Sequence, residues 1–231
     1  MQHRLLQTVI FLAACACCAS PSAPPEEAVR EGLNDRFLDE DLQIDEWVTR
    51  FALESREVAL RRGEILEALE LKHGDRVADV GAGTGLFLEP FSKSVGSAGT
   101  LFAVEISPRF VEHLRQRSED EALTNVQVTH CTEKDCELAE NSVDSIFICD
   151  TYHHFTYPKT TLASLRRALA DGGHLYVVDF ERIPGVSSEW LLGHVRADKA
   201  TFRAEIEAAG FRFEEELRVG LSENYMLRFS R

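Results

Sequence analysis

Hydrophobic positions along the chain follow two different patterns. Apolar runs of about five residues, typical of strands buried on both faces, alternate with segments whose apolar positions recur at helical spacing. The runs predict strands at residues 76–80, 100–105, 126–130, 145–149 and 175–179, and the segments between them predict helices at 84–94, 109–121 and 159–169. Strands that alternate with helices indicate an α/β fold with a parallel sheet and right-handed crossovers.

Both ends of the chain depart from this alternation. At the C-terminus, a helix at 199–209 is followed by strands at 211–219 and 225–229 with no helix between them, which predicts an antiparallel hairpin at the sheet edge. Toward the N-terminus, residues 36–72 are helical in pattern. Their charged residues at 54–57 form either a solvated helix face or, through Glu54 or Arg56, part of a binding pocket.

Residues 1–20 have the features of an export signal, because Arg4 precedes a short apolar run and small residues follow it. The run is too short to span a bilayer as a helix. Leu12-Ala13-Ala14-Cys15 resembles the lipobox of bacterial lipoproteins, so we expect export and a lipidated Cys15 at a membrane surface. The alternatives are an ordinary signal cut near residues 16–20, which gives a periplasmic protein, and a mis-assigned start codon, which gives a cytoplasmic one.

The rest of the chain has room for one α/β domain with a substantial core. Residues 21–35, which begin with a proline-rich stretch, are predicted to be a linker, 36–72 a helical segment, and 73–231 the sheet domain. The chain carries 39 acidic and 25 basic side chains, a net charge of −14 at pH 7. Such a surface repels phosphate backbones, so we expect a small-molecule substrate and no nucleic acid.

Residues 76–87 contain the most informative motif. The first strand ends in three glycines at alternate positions, Gly81, Gly83 and Gly85, which let a ligand lie directly on the main chain. The spacing is G-x-G-x-G and differs from the G-x-G-x-x-G of dinucleotide enzymes, because Leu86 follows Gly85. Asp79 adds a carboxylate, and no lysine or arginine lies in the turn, so the motif favours a cationic ligand over a phosphate.

This motif, in the form VADVGAGTG, resembles that of the class I S-adenosylmethionine-dependent methyltransferases. The resemblance runs from residue 75 to the C-terminus and includes three further features. They are an acidic residue at the end of the second strand (Glu105), the segment DTYHHF at 150–155, and the turn at 171–173 before the fifth strand.

The resemblance implies a Rossmann-like seven-stranded sheet in the order 3-2-1-4-5-7-6, with the N-terminal helices as a lid over the cofactor. It implies S-adenosylmethionine as the cofactor and methyl transfer to a small-molecule or lipid-like acceptor. Two alternatives stay open: a non-catalytic protein that binds S-adenosylmethionine, and a nicotinamide-dependent oxidoreductase on a similar sheet, which the glycine spacing disfavours.

The resemblance also assigns residues to the site. Its cofactor residues are Asp79, Gly81, Ala82, Gly83, Thr84, Gly85, Glu105, Ile106, Thr132, Glu133 and Asp150. In this assignment Glu105 accepts hydrogen bonds from both ribose hydroxyls, and Thr132 or Glu133 meets the adenine amine. The predicted catalytic residues are Asp150, His153 and His154, because a histidine can take a proton from the acceptor near neutral pH. The substrate candidates are Tyr152, His194 and Arg196.

The cysteines do not predict a metal site. Cys15, Cys17 and Cys18 belong to the signal, and Cys131, Cys136 and Cys149 are spaced too irregularly for zinc ligands. In the expected strand order, Cys131 and Cys149 end strands that lie roughly 14 Å apart, too far for a disulfide. We therefore expect free thiols and no metal.

The lipobox generates the first testable prediction. Expressed in a bacterium, the full chain should partition into the detergent phase, and Cys15→Ala should move it to the aqueous phase because the acylated thiol is lost. Mass spectrometry of the N-terminus provides the check. An intact Met1 on soluble protein in the native host would contradict both export and lipidation.

Overall fold

A computed structural model describes residues 25–54 and 56–231 of the chain. The predicted signal, with its three cysteines, lies outside these residues. The strands are β1 Arg76–Val80, β2 Thr100–Glu105, β3 Val126–His130, β4 Val143–Cys149, β5 Leu169–Phe180, β6 Arg212–Glu216 and β7 Asn224–Ser230. The helices are α1 Asp35–Leu38, α2 Ile44–Glu54, α3 Arg56–Leu60, α4 Arg62–Ala68, α5 Leu88–Val95, α6 Pro108–Asp120, α7 Pro158–Ala168, α8 Glu189–His194 and α9 Lys199–Ala208.

The strands form one seven-stranded sheet in the order β3-β2-β1-β4-β5-β7-β6. Strands β1 to β5 pair in parallel, whereas β7 pairs antiparallel with both β5 and β6. This order and the edge hairpin confirm the fold predicted from the sequence. No helix of residues 25–54 and 56–231 combines the length and the apolar character that crossing a bilayer requires.

Strand register brings the carboxyl ends of the central strands to one edge of the sheet. Val80 of β1 lies opposite Val104 of β2 and Ile148 of β4, and Cys149 lies opposite Val178 of β5. Both faces of these strands are buried, one under α5 and α6 and the other under α7 and α9, because their residues are apolar on both sides. Loops that leave this edge are therefore placed next to one another.

Some predicted boundaries were wrong. Helix α5 begins at Leu88 and not at residue 84, because Gly83 and Gly85 adopt positive φ angles and the chain turns before it can coil. The turn expected at 171–173 lies inside β5, which starts at Leu169 beside an irregular register in β4. Strand β6 ends at Glu216, three residues before the predicted end.

The segment predicted as a linker packs on the domain from residue 26 onward. Glu26 accepts hydrogen bonds from the backbone N–H groups of Lys159 and Thr160, at 2.9 and 2.7 Å. Helix α7 begins there, and the side chain of its N-cap residue, Tyr157, provides no cap. A carboxylate from the N-terminal segment thus satisfies free N–H groups at the positive end of the helix dipole.

The N-terminal helices are fixed at two points. Phe37, Trp47 and Phe51 pack with Phe110 of α6, with ring centroids 5.0 to 6.4 Å apart. At the other end, Glu57 of α3 accepts hydrogen bonds from the backbone N–H groups of residues 222–224 and from the Ser222 hydroxyl, at 2.6 to 3.0 Å. Burial opposes ionisation of Glu57, but these bonds leave its pKa below the usual value.

The Glu57 contact generates a second prediction. Glu57→Ala removes the acceptor for these donors, so the free energy of unfolding should fall by about 1 kcal/mol. Limited proteolysis should also cut the α3–α4 region sooner. Glu64→Ala, which removes an exposed carboxylate of α4, is the matched control and should change neither measurement. If the two variants resist the protease equally, Glu57 does not fix the N-terminal helices on the domain.

Candidate active site

A cavity of about 730 Å³ lies at the carboxyl edge of the sheet. One part of its wall is the glycine turn at 81–85, together with Asp79, Glu105, Ile106 and Asp150. Another part comes from the lid and α6, and includes Phe37, Phe51 and Phe110. His153, His154, Phe180 and His194 also line the cavity. The volume is within the range of small-molecule and cofactor sites.

The glycine turn is shaped by two close approaches. Gly81 has φ 77°, and a Cβ there would lie 2.3 Å from the Thr151 side chain, so only glycine fits beside the loop after β4. Gly83 has φ 53°, and a Cβ would lie 3.3 Å from the Phe51 ring of the lid. The main chain of the turn therefore faces the cavity directly.

Glu105 holds the glycine turn in place. Its carboxylate accepts hydrogen bonds from the backbone N–H groups of Gly83, Ile106 and Ser107, each at 2.8 Å, and its side chain is buried. Burial raises the pKa of Glu105, and the three N–H donors oppose that rise. A carboxylate has further acceptor positions, so it can still bind a ligand hydroxyl. Its position at the end of β2 was predicted correctly, but its bonds to the main chain were not foreseen.

Asp79 is a second buried carboxylate beside Glu105. Burial, together with the charge of Glu105, raises its pKa from 3.8 to about 7. Within the part of the chain that the structure describes, neither carboxylate forms an ion pair with lysine or arginine. A cationic ligand group would stabilise the ionised pair, so the residues present fit the ammonium and sulfonium of S-adenosylmethionine.

Arg117 of α6 reaches the glycine turn, a contact that the sequence pattern did not predict. Its Nη1 donates to the carbonyl oxygens of Thr84 and Gly85, at 2.8 and 3.0 Å, and it also pairs with Glu121. The turn itself contains no lysine or arginine, as the sequence shows, and the guanidinium that α6 brings to it is occupied by the turn's own carbonyls. Helical spacing of α6 alone could not show which face of the helix meets the turn.

Asp150, Thr151, His153 and His154, from the loop after β4, also line the cavity. Asp150 has φ 48°, unusual for a residue other than glycine, and accepts a hydrogen bond from the side-chain amide of Asn224 at 2.6 Å. Thr151 donates to the carbonyl of Cys149 at 2.8 Å, which turns the chain sharply after β4. His153 and His154 follow in a short 3₁₀ turn at Tyr152–His154.

Histidines from two segments meet in the wall of the cavity. His153 is buried, its Nδ1 lies 2.8 Å from Oδ1 of the buried Asp179, and its Nε2 lies 3.1 Å from Nε2 of His194. Burial and the neighbouring imidazoles lower the pKa of His154 well below its usual value and that of His194 to about 4. Only His153 and His154 are adjacent in the sequence, and the fold adds His194 to them. That His153 or His154 acts as the base stays a prediction.

Two residues predicted to bind the adenine, Thr132 and Glu133, do not line the cavity. Thr132 accepts hydrogen bonds from the backbone N–H groups of its own loop, and Glu133 accepts from Asn34 and Thr156 at 2.9 and 2.6 Å. Both side chains are engaged by neighbouring protein groups, and their contact with the adenine amine stays a prediction. Glu54 or Arg56 was the charged residue expected in a binding pocket. Arg56 is exposed and does not line the cavity, and the Glu54 side chain lies outside what the structure describes.

Tyr152 and Arg196 belong to a different cluster. The Tyr152 hydroxyl donates to Glu205 of α9 at 3.0 Å, and Arg196 binds the same carboxylate through two bonds at 2.8 and 2.6 Å. Tyr152 is fully buried against Phe202, and the side chain of Arg196 is 7 % exposed. Arg196 thus forms an ion pair with a carboxylate that α9 supplies, and its predicted contact with a substrate stays a prediction.

The cysteines of the sheet domain are free thiols, as predicted. Cys136 is buried, and Cys131 and Cys149 are partly buried. Burial raises the pKa of all three thiols, so they are protonated at neutral pH and are poor nucleophiles or metal ligands.

Residues 78–177 match the family described as a methyltransferase domain. A curated relative is the ubiquinone/menaquinone biosynthesis C-methyltransferase UbiE of Stutzerimonas stutzeri (strain A1501), 26% identical over 118 residues, which are 51% of this chain and 46% of the relative. The chain thus spans about half the length of the curated relatives it matches first.

Two solved structures share the fold. A SAM-dependent methyltransferase from Aquifex aeolicus superposes with a TM-score of 0.70 at 24% identity, over 82% of this chain and 98% of that one. Aeropyrum pernix fibrillarin, with natively bound S-adenosyl-L-methionine, gives 0.52 at 18% identity, over 68% and 67% of the two chains. Together these matches show that residues 78–177 resemble a methyltransferase domain and that the fold is shared with solved S-adenosylmethionine-dependent methyltransferases.

The buried Asp79 generates a prediction for stability against pH. Its pKa in the folded protein is raised, so folding favours the protonated form, and this contribution is lost as pH rises from about 4 to about 7. Over that range the free energy of unfolding of the wild type should fall by up to about 4 kcal/mol relative to Asp79→Asn. Urea unfolding at a series of pH values measures the difference. Parallel curves for the two proteins would contradict the raised pKa.

Proposed function

We propose that the protein is an S-adenosylmethionine-dependent methyltransferase that acts on a small, lipid-like acceptor. The observation that carries the proposal is one continuous cavity with two chemically different parts. The glycine turn and the buried carboxylates Asp79 and Glu105 form one part, and aromatic rings with histidines form the other. A cofactor and an acceptor in these two parts would share the same enclosed space.

The glycine turn suits the cofactor. Bound S-adenosylmethionine supplies a methyl group activated by a positively charged sulfur. Main-chain groups of residues 81–85, the Glu105 carboxylate and the Ile106 side chain provide polar and apolar contacts for a nucleoside, and Asp79 and Asp150 provide negative charge. The same carboxylates would repel a pyrophosphate, which argues against a nicotinamide dinucleotide.

The lid suits an apolar acceptor. Phe37, Phe51 and Phe110 line the cavity as part of the aromatic cluster that joins the lid to α6. Rings of this kind bind aromatic or isoprenoid groups by burying apolar surface. The quinone-related name of the curated relatives supports an acceptor of this class. A lipid anchor at Cys15, as proposed from the sequence, would keep the site near a membrane in which such acceptors dissolve.

The enclosing residues then have two tasks in methyl transfer. They align the nucleophilic atom of the acceptor with the methyl group, and they exclude water. The lid performs the second task, because Phe51 lies directly over Gly83 and the helices are fixed at both ends by the Phe110 and Glu57 contacts.

Titration calorimetry on the full chain tests the proposal. We expect binding of S-adenosylmethionine and no measurable binding of NAD. Glu105→Gln should weaken S-adenosylmethionine binding by about 1–3 kcal/mol, or about 5- to 150-fold, since a charged acceptor is lost and the Gly83 N–H bond is weakened. Glu112→Gln, an exposed carboxylate of α6, is the matched control and should bind as the wild type does.

Transfer is then measured with S-adenosylmethionine labelled in its methyl group and a panel of quinones and hydroxylated aromatics. Label in the extracted acceptor supports the enzyme. Cofactor binding with no transfer to any acceptor, including total lipid of the native host, would favour a non-catalytic binding protein. Preferential binding of NAD would contradict the proposed cofactor.

A further inference from the structure

Three imidazoles from two distant segments converge in the wall of the cavity. His153 and His154 follow β4, His194 ends α8, and one ring nitrogen from each lies within 4.8 Å of the other two. The Nε2 atoms of His153 and His194 are 3.1 Å apart. With zinc–nitrogen bonds of about 2.0–2.1 Å, two ligands of a tetrahedral ion stand roughly 3.3 Å apart, so this spacing fits shared coordination.

Asp179 orients one of these imidazoles. Its Oδ1 accepts from Nδ1 of His153 at 2.8 Å, which leaves the lone pair of the neutral ring on Nε2, the atom that faces His194. The carboxylate is itself fixed, because it accepts from the backbone N–H groups of His153 and Phe180 at 3.1 and 2.7 Å. A carboxylate behind a histidine in this way is the usual outer partner of a metal-binding imidazole.

His154 supplies an independent observation. Its Nδ1 is buried, and within the described residues it has no hydrogen-bond partner. A buried polar atom without a partner costs free energy, so such an atom commonly marks a place where a ligand belongs. In this cluster the missing partner can be a metal ion, since neighbouring imidazoles offer the other ligands.

The surrounding charges allow a cation. Asp179 is fully buried, and its Oδ1 lies 2.8 Å from Nδ1 of His153. Arg36 lies close enough to oppose a cation, but its guanidinium is positioned over the rings of Phe37 and Trp47, 4.6 and 5.3 Å from their centroids. This arrangement resembles a metal site with three histidine ligands in which a carboxylate accepts a hydrogen bond from one of the imidazoles.

We infer that His153, His154 and His194 bind a divalent transition-metal ion, with zinc as the best match to three nitrogen ligands. Three protein ligands leave one position of a tetrahedral ion open, as in catalytic zinc sites, and all three histidines line the cavity. An acceptor oxygen or sulfur could occupy that position, so the site would select acceptors that carry a hydroxyl or thiol group. Metal binding here does not depend on methyl transfer and can be measured without S-adenosylmethionine.

Zinc binding by the full chain is the experiment. The protein is prepared without a polyhistidine tag, stripped with a chelator, mixed with Zn²⁺ and separated by gel filtration before elemental analysis. We expect about one zinc per chain. His194→Gln and, separately, His154→Gln should each lower the affinity by more than about tenfold, and Asp179→Asn by about 10- to 100-fold. His73→Gln, an exposed histidine outside the cluster, should bind as the wild type does.

Co²⁺ in place of Zn²⁺ identifies the ligand atoms in the wild type, so the result does not depend on whether a variant folds. Nitrogen ligands give visible d–d bands without the near-ultraviolet charge-transfer band of a cobalt–thiolate bond. A variant with Cys15, Cys17 and Cys18 changed to serine should keep its zinc. Loss of zinc in that variant, a thiolate band, or a wild type that retains no zinc would overturn the proposal and leave a hydrogen-bonded imidazole cluster in its place.

Discussion

The Glu105 carboxylate is the constraint on which the site depends. It joins the ends of β1 and β2 through the backbone N–H groups of Gly83, Ile106 and Ser107, and thereby fixes the turn that opens the cavity. Holding a charge in a buried position is unfavourable, and a second carboxylate, Asp79, makes it more so. The two buried carboxylates therefore lower the stability of the folded protein when they are ionised. A cation bound between the carboxylates of Asp79 and Glu105 would reduce the electrostatic cost of burying both charges.

Contacts between distant parts of the chain fix the N-terminal region on the sheet domain. Glu26 caps α7, and Asn34 is buried, where its side-chain amide donates to Glu133, to the carbonyl of His154 and to Thr156. Glu57 binds the turn before β7. In each contact a polar side chain of the N-terminal region satisfies polar groups of the domain. The lid is therefore an integrated part of the site, held by directional bonds as well as by the Phe37–Phe110 aromatic contacts.

The histidine cluster shows how a parallel sheet assembles chemistry from separate loops. His153 is held by Asp179 at the end of β5, and His194 arrives on a short helix that begins with a Ser188 cap. The strand ends bring these loops together because β4 and β5 are neighbours in the sheet. On the other side of the loop, Tyr152 and Arg196 share Glu205, so adjacent residues of one motif serve different clusters.

The sequence by itself determined the alternation of strands and helices, the glycine turn and the carboxylate at the end of β2, because these follow from local periodicity and from backbone angles that only certain residues adopt. The order of the strands in the sheet was implied by the resemblance to a known family. It also predicted which strand ends would form the site. It could not determine the roles of Thr132, Glu133, Tyr152 and Arg196, since side chains of one loop alternate between faces and their partners come from other segments. Sequence separations of 26 to 122 residues divide the partners in four such hydrogen bonds, which are made by Asn34, Arg117, Asp179 and Glu205. Only the tertiary structure decided those contacts. A hydrogen bond requires that its two groups be close in space, and a local sequence pattern does not indicate which distant residues are close.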